Sequence, residues 1–331
     1  MSGRLMTAAT ALVAVALVAG CSTDEASRVP TREPATPAAA PAVTAPPVGT
    51  VFGNGVAVSS TVVDPASHTL VVAATAPNRL LMFDTTDPAR APREYPLPAP
   101  AGQLSVADGQ VLVPLPGRLE LVDVSNGSRR LGRIDGDGRD ATALPGGGFA
   151  VATSDGDVDV LDQYLAKQRT LTGLVSADSI VAVGNHLAVL DRKQTSITQF
   201  DADTGKNQGS LRVGDGATNL AVARNGAVLA ADTAGNQLMV FGVDPLLERQ
   251  QFPVTGAPYG IVYDDKAQLV WLTLTGTNEV VGYDITTGTP VEKQRFHTVR
   301  QPDSVAVDPA TGDLYVASAA GDGIEQIPTK G

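Results

Sequence analysis

Three observations predict an all-β chain folded as a seven-bladed β-propeller whose ring is closed by an N-terminal strand. First, an apolar residue followed by aspartate or another turn-forming residue returns at Phe83-Asp84, Val122-Asp123, Leu161-Asp162, Phe200-Asp201, Phe241-Gly242, Tyr283-Asp284 and Ile327-Pro328, in steps of 39, 39, 39, 41, 42 and 44 residues. A period near 40 built from short strands is the mark of propeller blades. Second, each unit alternates Val- and Ala-rich runs with Pro, Gly, Asn and Asp turns, as in SVAVD and LYVAS of the last unit, which reads as a meander. Third, that last unit, Gln301 to Ile327, stops after three runs, while an orphan run, Thr50-Val51-Phe52, stands ahead of the first unit. Pairing the two would remove a free sheet edge.

Residues 1–20 carry one cation, Arg4, ahead of an apolar stretch from Leu5 to Ala19 that is shorter than a bilayer crossing and reads as a signal peptide. It ends in Leu17-Val18-Ala19-Gly20-Cys21, and Cys21 is the sole cysteine of the chain. The segment resembles a bacterial lipobox, which implies a diacylglyceryl group on Cys21 and an exported protein lipid-anchored at the outer face of the cytoplasmic membrane. No cysteine is left for a disulfide. Residues 21–48, with Pro30, Pro34, Pro37, Pro41, Pro46 and Pro47 among Ala and Thr, lack the apolar periodicity that buries a core and read as a disordered tether. Its threonines are candidates for glycosylation. Residues 49–331 are left for the propeller.

Within the units, the turn between second and third strands falls at Asn78, Gly117, Gly156, Thr195, Asn236, Asn278 and Asp322. Six of these are Asn, Gly or Asp, which tolerate the positive φ of a tight hairpin; Thr195 departs from the rule. The first strands align on their last residues at Asp64, Asp108, Pro145, Val183, Ala223, Asp264 and Asp308. The phrase VDPATGDLYVAS and the turns in TGTNEVVGYD and TAGNQLMVFG resemble the YVTN/NHL-type repeats of YncE-like and streptogramin-lyase-like propellers. The layout of lipobox, tether and propeller is similar to actinobacterial lipoproteins, the mycobacterial LppL group among them.

Five residues before each first-strand end stand Ser59, Gln103, Asp140, Asp178, Thr218, Tyr259 and Asp303, and the next position adds Ser60, Ser179, Asn219 and Ser304. In a propeller this column borders the mouth of the central channel, so Gln103, Asp140, Asp178, Asn219, Tyr259 and Asp303 are the candidate rim residues. Such oxygens suit a small polar ligand or a hard cation, with Asp140 and Asp178 as a candidate Ca²⁺ pair; polar strand ends beside water are the plainer reading. The runs Asp135-Gly-Asp137 and Asp155-Gly-Asp157 lack the closing glutamate of a calcium loop, and Asp155-Gly156 falls in the turn column. Streptogramin lyases resemble one another in a His and a Glu on the propeller face, and His68, His186 and His297 all lie elsewhere in this alignment. Propeller lactonases resemble one another in a Glu/Asn/Asn/Asp ligand set, of which only Asn219 with Asp140, Asp178 or Asp303 has counterparts.

The formal charge of −11, or −12 once residues 1–20 and Arg4 are gone, argues against nucleic acid as partner. The leading functional reading is a non-catalytic, monomeric binding or scaffolding module for a small ligand or an envelope protein. A metal-dependent hydrolase or lyase is the alternative.

Overall fold

The computed structural model describes residues 30–329; the leader and Cys21 lie outside the described residues. All regular structure in them is β. The first sheet joins Val58–Asp64, Thr69–Ala74, Arg79–Asp84 and Arg93–Pro96. Three more have the same up-and-down order and begin with Ser179–Val183, Ala217–Val222 and Pro258–Asp264. The last contains Pro302–Val307, Leu314–Ser318 and Ile324–Ile327.

The expectation of seven blades is corrected by the sheet count: the described strands form six sheets, one of them six-stranded. The second and third repeat units share that sheet. They are fused by Arg129–Ala143 (RRLGRIDGDGRDATA), a strand that runs through the point where two were expected. Its first half pairs with Arg118–Val122 and its second half, Gly138–Ala143, pairs with Phe149–Thr153. Gly136, at φ +75°, bends the strand without ending it. The Asp135–Asp140 acids are therefore strand residues and not a loop. Likewise Gln110–Asp123 is one strand, and the turn at Gly117 is reduced to a register shift between Pro116 and Arg118.

Thr50–Phe52 pairs antiparallel with the last strand, Thr50 opposite Gln326 and Phe52 opposite Ile324, so the sixth sheet is made from both ends of the domain. Two further contacts fasten it. The Phe52 ring meets Phe83 of the first sheet edge-on at 5.2 Å, and the buried Glu325 carboxylate accepts from the amides of Gly49 at 2.7 Å and Val299 at 3.2 Å. A methyl group on Gly49 would stand 2.1 Å from the Gln326 carbonyl oxygen, which is why glycine precedes this strand. The core is a set of apolar layers between neighbouring sheets. Phe52, Leu70, Val72, Phe83, Tyr315 and Ile324 form one such layer across the closure.

The repeated aspartate has a structural cause. At Asp84, Asp123, Asp201 and Asp284 one carboxylate oxygen accepts from the backbone amide and hydroxyl of a Ser or Thr two or three residues on, at 2.6–2.9 Å. The marker is thus an aspartate-capped turn leading to the fourth strand.

The segment expected to be a disordered tether is not free where it is described. Residues 30–49 have no regular structure, yet they hydrogen-bond to the propeller at intervals from Arg32 to Gly49.

Candidate functional site

The first strands surround a channel, and their side chains lace neighbouring units together. Ser60 Oγ accepts from the Leu104 amide, Asp140 Oδ2 from the Ile180 amide and Ser179 Oγ from the Leu220 amide, at 2.9, 2.9 and 3.3 Å. Asn219 continues the pattern by donating to the Tyr259 carbonyl at 3.0 Å. Part of the polar column therefore closes the ring rather than waiting for a ligand.

One side-chain bridge spans the channel. Gln103 donates through Nε2 to Asn219 Oδ1 at 2.9 Å and accepts from Ser60 Oγ at 3.0 Å. The candidates divide on either side of it. Above lies a small polar cavity of about 170 Å³, bordered by Ser59, Gln103, Arg139, Asp178, Arg192 and Tyr259 among others. Below lies a cavity of about 700 Å³, where Asp140, Asp303, Gln103 and Asn219 meet walls of Leu104, Ile180, Leu220, Val262 and Val305; it reaches the turn at Asp64–Ala66, of which Ala66 is exposed.

Asp140 and Asp178 consequently border different cavities. A β-bulge between Gly138 and Asp140 makes Asp140 pair with Ala152, as Ser60 pairs with Ala73, Asn219 with Ala231 and Ser304 with Ala317. The rim position of this unit belongs to Arg139, which sequence counting missed because the strand's last backbone bond is made by Leu144 and not Pro145. Asp178 Oδ2 accepts from Ser176 Oγ at 2.6 Å and the Arg192 amide at 2.9 Å. The rim thus carries two arginines as well as an acid. No group of three His, Cys, Asp or Glu side chains suited to a metal ion occurs among the described residues. His68, His186 and His297 border neither cavity. The Asp159 carboxylate of the acidic stretch that follows Asp155 is buried and paired with Lys167 at 2.7 Å.

Burial dominates the electrostatics of the lower cavity. It pushes the Asp140 carboxyl up to about 7, against the opposing hydrogen bonds from Ile180, Ser179 and Ala141. It pushes Asp303 up to about 6 against one, from Gln301. Gln301 Nε2 donates to Asp303 Oδ1 at 2.7 Å, so the second oxygen of Asp303 has more capacity for a new donor than either oxygen of Asp140.

No protein-family model matches the chain, and no characterised protein shows significant sequence similarity to it. Solved structures match it in fold. A streptogramin B lyase aligns over 85% of this chain and 96% of its own, at 13% identity and TM-score 0.70. The chain is a β-propeller. The propeller domain of Cps50 (Swd1) from Myceliophteria thermophila aligns over 86% of this chain and all of its own, at 14% identity and TM-score 0.72. A chain of Kuenenia stuttgartiensis hydrazine synthase covers 85% of this propeller protein and 97% of its own length, at 16% identity and TM-score 0.69. At such identities the likeness is one of fold alone.

Proposed function

We propose that this protein is a non-catalytic binding module that takes a small ligand with an apolar body and a cationic or hydroxylated end into the lower cavity. The observation that carries the proposal is that cavity itself: about 700 Å³, walled by aliphatic side chains, with Asp303 and Asp140 at the polar end. That volume and polarity suit a small-molecule site. A carboxylate held above its ordinary pKa by burial regains its charge most readily beside a cation. Asp303 is the anchor, Asp140 and Asn219 shape the polar end, and Val262 borders the body. The reading also makes the protein an exported lipoprotein of actinobacterial type with a YncE-like propeller, anchored by a lipid on Cys21. The apolar run ending in the lone cysteine supports this, and Cys21→Ala should release the protein from the membrane or leave it unprocessed.

Dansylcadaverine, which joins an aromatic body to an amine, tests the cavity against neutral dansylamide. Fluorescence titration of the full chain should show the amine binding, Asp303→Asn weakening it at least about tenfold (about 1.4 kcal/mol) with dansylamide unaffected, and Val262→Trp blocking both. Equal binding of the amine to wild type and Asp303→Asn would defeat the assignment.

A further inference from the structure

We propose that the upper face of the propeller is a docking groove for an extended, proline-containing peptide, filled in this structure by the chain's own residues 32–41. The contacts are made almost wholly to the backbone of that segment. The Arg32 amide donates to the Lys193 carbonyl at 2.7 Å, and the Arg192 guanidinium donates to the Ala35 carbonyl. The Ala38 amide donates to Thr275 Oγ1 at 3.1 Å. The Gln301 side-chain amide takes both sides of the segment, donating to the Ala38 carbonyl at 3.0 Å and accepting from the Ala40 amide at 2.9 Å. Asn278 Nδ2 closes the run on the Pro41 carbonyl at 3.0 Å.

The burial pattern names the conformation that fits. Pro34, Ala35, Pro37, Ala38 and Ala40 are half-buried, whereas Glu33, Thr36 and Ala39 face solvent. Every third residue points outward, the period of a polyproline II helix, which also leaves its backbone amides and carbonyls unpaired and open to such side chains. Proline fixes that shape beforehand and lowers the entropy lost on docking, the economy used by other polyproline readers. Small residues are needed on the inner side. Gly216 lies beneath Ala35, and a Cβ at 216 would come within 2.8 Å of the Ala35 methyl group.

Asn278 and Gln301 have left-handed backbones, φ 54° and 55°; at Asn278 this is the hairpin-turn conformation it shares with Asn236. The Gln301 backbone amide donates to Asn278 Oδ1 at 3.0 Å and fixes that side chain, while the Gln301 side chain is itself held by Asp303 Oδ1, which accepts from its Nε2 at 2.7 Å. Because the groove reads backbone and shape, it is not restricted to the segment tethered to it. A free peptide of the same character would compete, handicapped only by the millimolar effective concentration of a tethered rival.

The test keeps the full chain. Ala38→Pro with Ala40→Pro deletes two donor amides from the segment and leaves the groove untouched. The Arg32 amide, which both chains keep, should exchange at least about tenfold more slowly in wild type than in this variant, with the protection of the sheets equal in both. A labelled peptide of residues 31–42 should then bind the variant at least about tenfold more tightly than wild type, and adding Gln301→Ala should remove that binding. A wild-type segment that exchanges like free chain, or a released segment whose groove ignores the peptide at millimolar concentration, would overturn the proposal.

Discussion

Asp140 has hydrogen bonds on both carboxylate oxygens and is only 7% exposed, and its burial outweighs its bonds. The folded protein holds its proton to about pH 7, whereas an unfolded chain releases it near 4. Its contribution to stability is therefore full below about pH 4 and is lost as pH rises through about 7. Unfolding of wild type and Asp140→Asn at about pH 5 and about pH 8 should show wild type losing ground by up to a few kcal/mol over that interval; a flat difference would mean the carboxylate is solvated. Thr195 makes a second residue-scale case. It is the turn-column member the sequence singled out, and it takes φ 51° all the same, with its buried hydroxyl lacking a hydrogen-bond partner. Asparagine already serves at Asn236 and Asn278, at φ 55° and 54°. Thr195→Asn should raise stability by about 0.5–1 kcal/mol, seen as a higher denaturant midpoint at unchanged slope.

At the scale of strands and turns, the aspartate marker was legible because each unit needs the same capped turn. Side-chain hydrogen bonds from Thr86, Ser125 and Thr286 lower the carboxyls of Asp84, Asp123 and Asp284, and the Thr204 amide does most to lower that of Asp201. These caps favour the folded state above the ordinary carboxylate range and weaken as pH falls through their lowered values, opposite in sign to Asp140. What spacing did not reveal was whether a glycine ends a strand or bends one. The 39-residue step runs unbroken across Gly136, although the backbone there joins two units into one sheet. The end of the third unit's first strand was equally silent: its last backbone bond is made by Leu144 and not Pro145, and that one-residue offset puts Arg139 rather than Asp140 at the rim. The closing strand offers a direct check of an element. A methyl group on Gly49 cannot coexist with the Gln326 carbonyl, so Gly49→Ala should force the strand off its partner and cost about 2 kcal/mol or more, measured by chemical unfolding.

For the whole molecule, the N-terminal side of the chain does two separable jobs, and truncation distinguishes them. Residues 31–41 lie on the upper face by backbone hydrogen bonds and add no strand to any sheet. Thr50–Phe52 supplies the fourth strand of the last sheet and places Phe52 in the layer with Phe83 and Tyr315. The sequence could suggest the second job, because a three-strand unit at one end and an orphan strand at the other are visible in the pattern. It could not suggest the first, since docking by main-chain atoms leaves no apolar signature. A chain beginning at residue 43 should therefore melt within a degree or two of the full protein. One beginning at residue 53 forfeits the burial of Phe52, about 3 kcal/mol by analogy with Phe→Ala in a core, together with its strand pairing and the bonds to Glu325. A total near 5 kcal/mol corresponds to a fall of about 10 °C for a domain of this size. The exposed edge of Ile324–Ile327 should also promote self-association, visible as light scattering below the melting transition. A chain from residue 53 that stays monomeric and melts with the full protein would show that the ring does not need its closing strand.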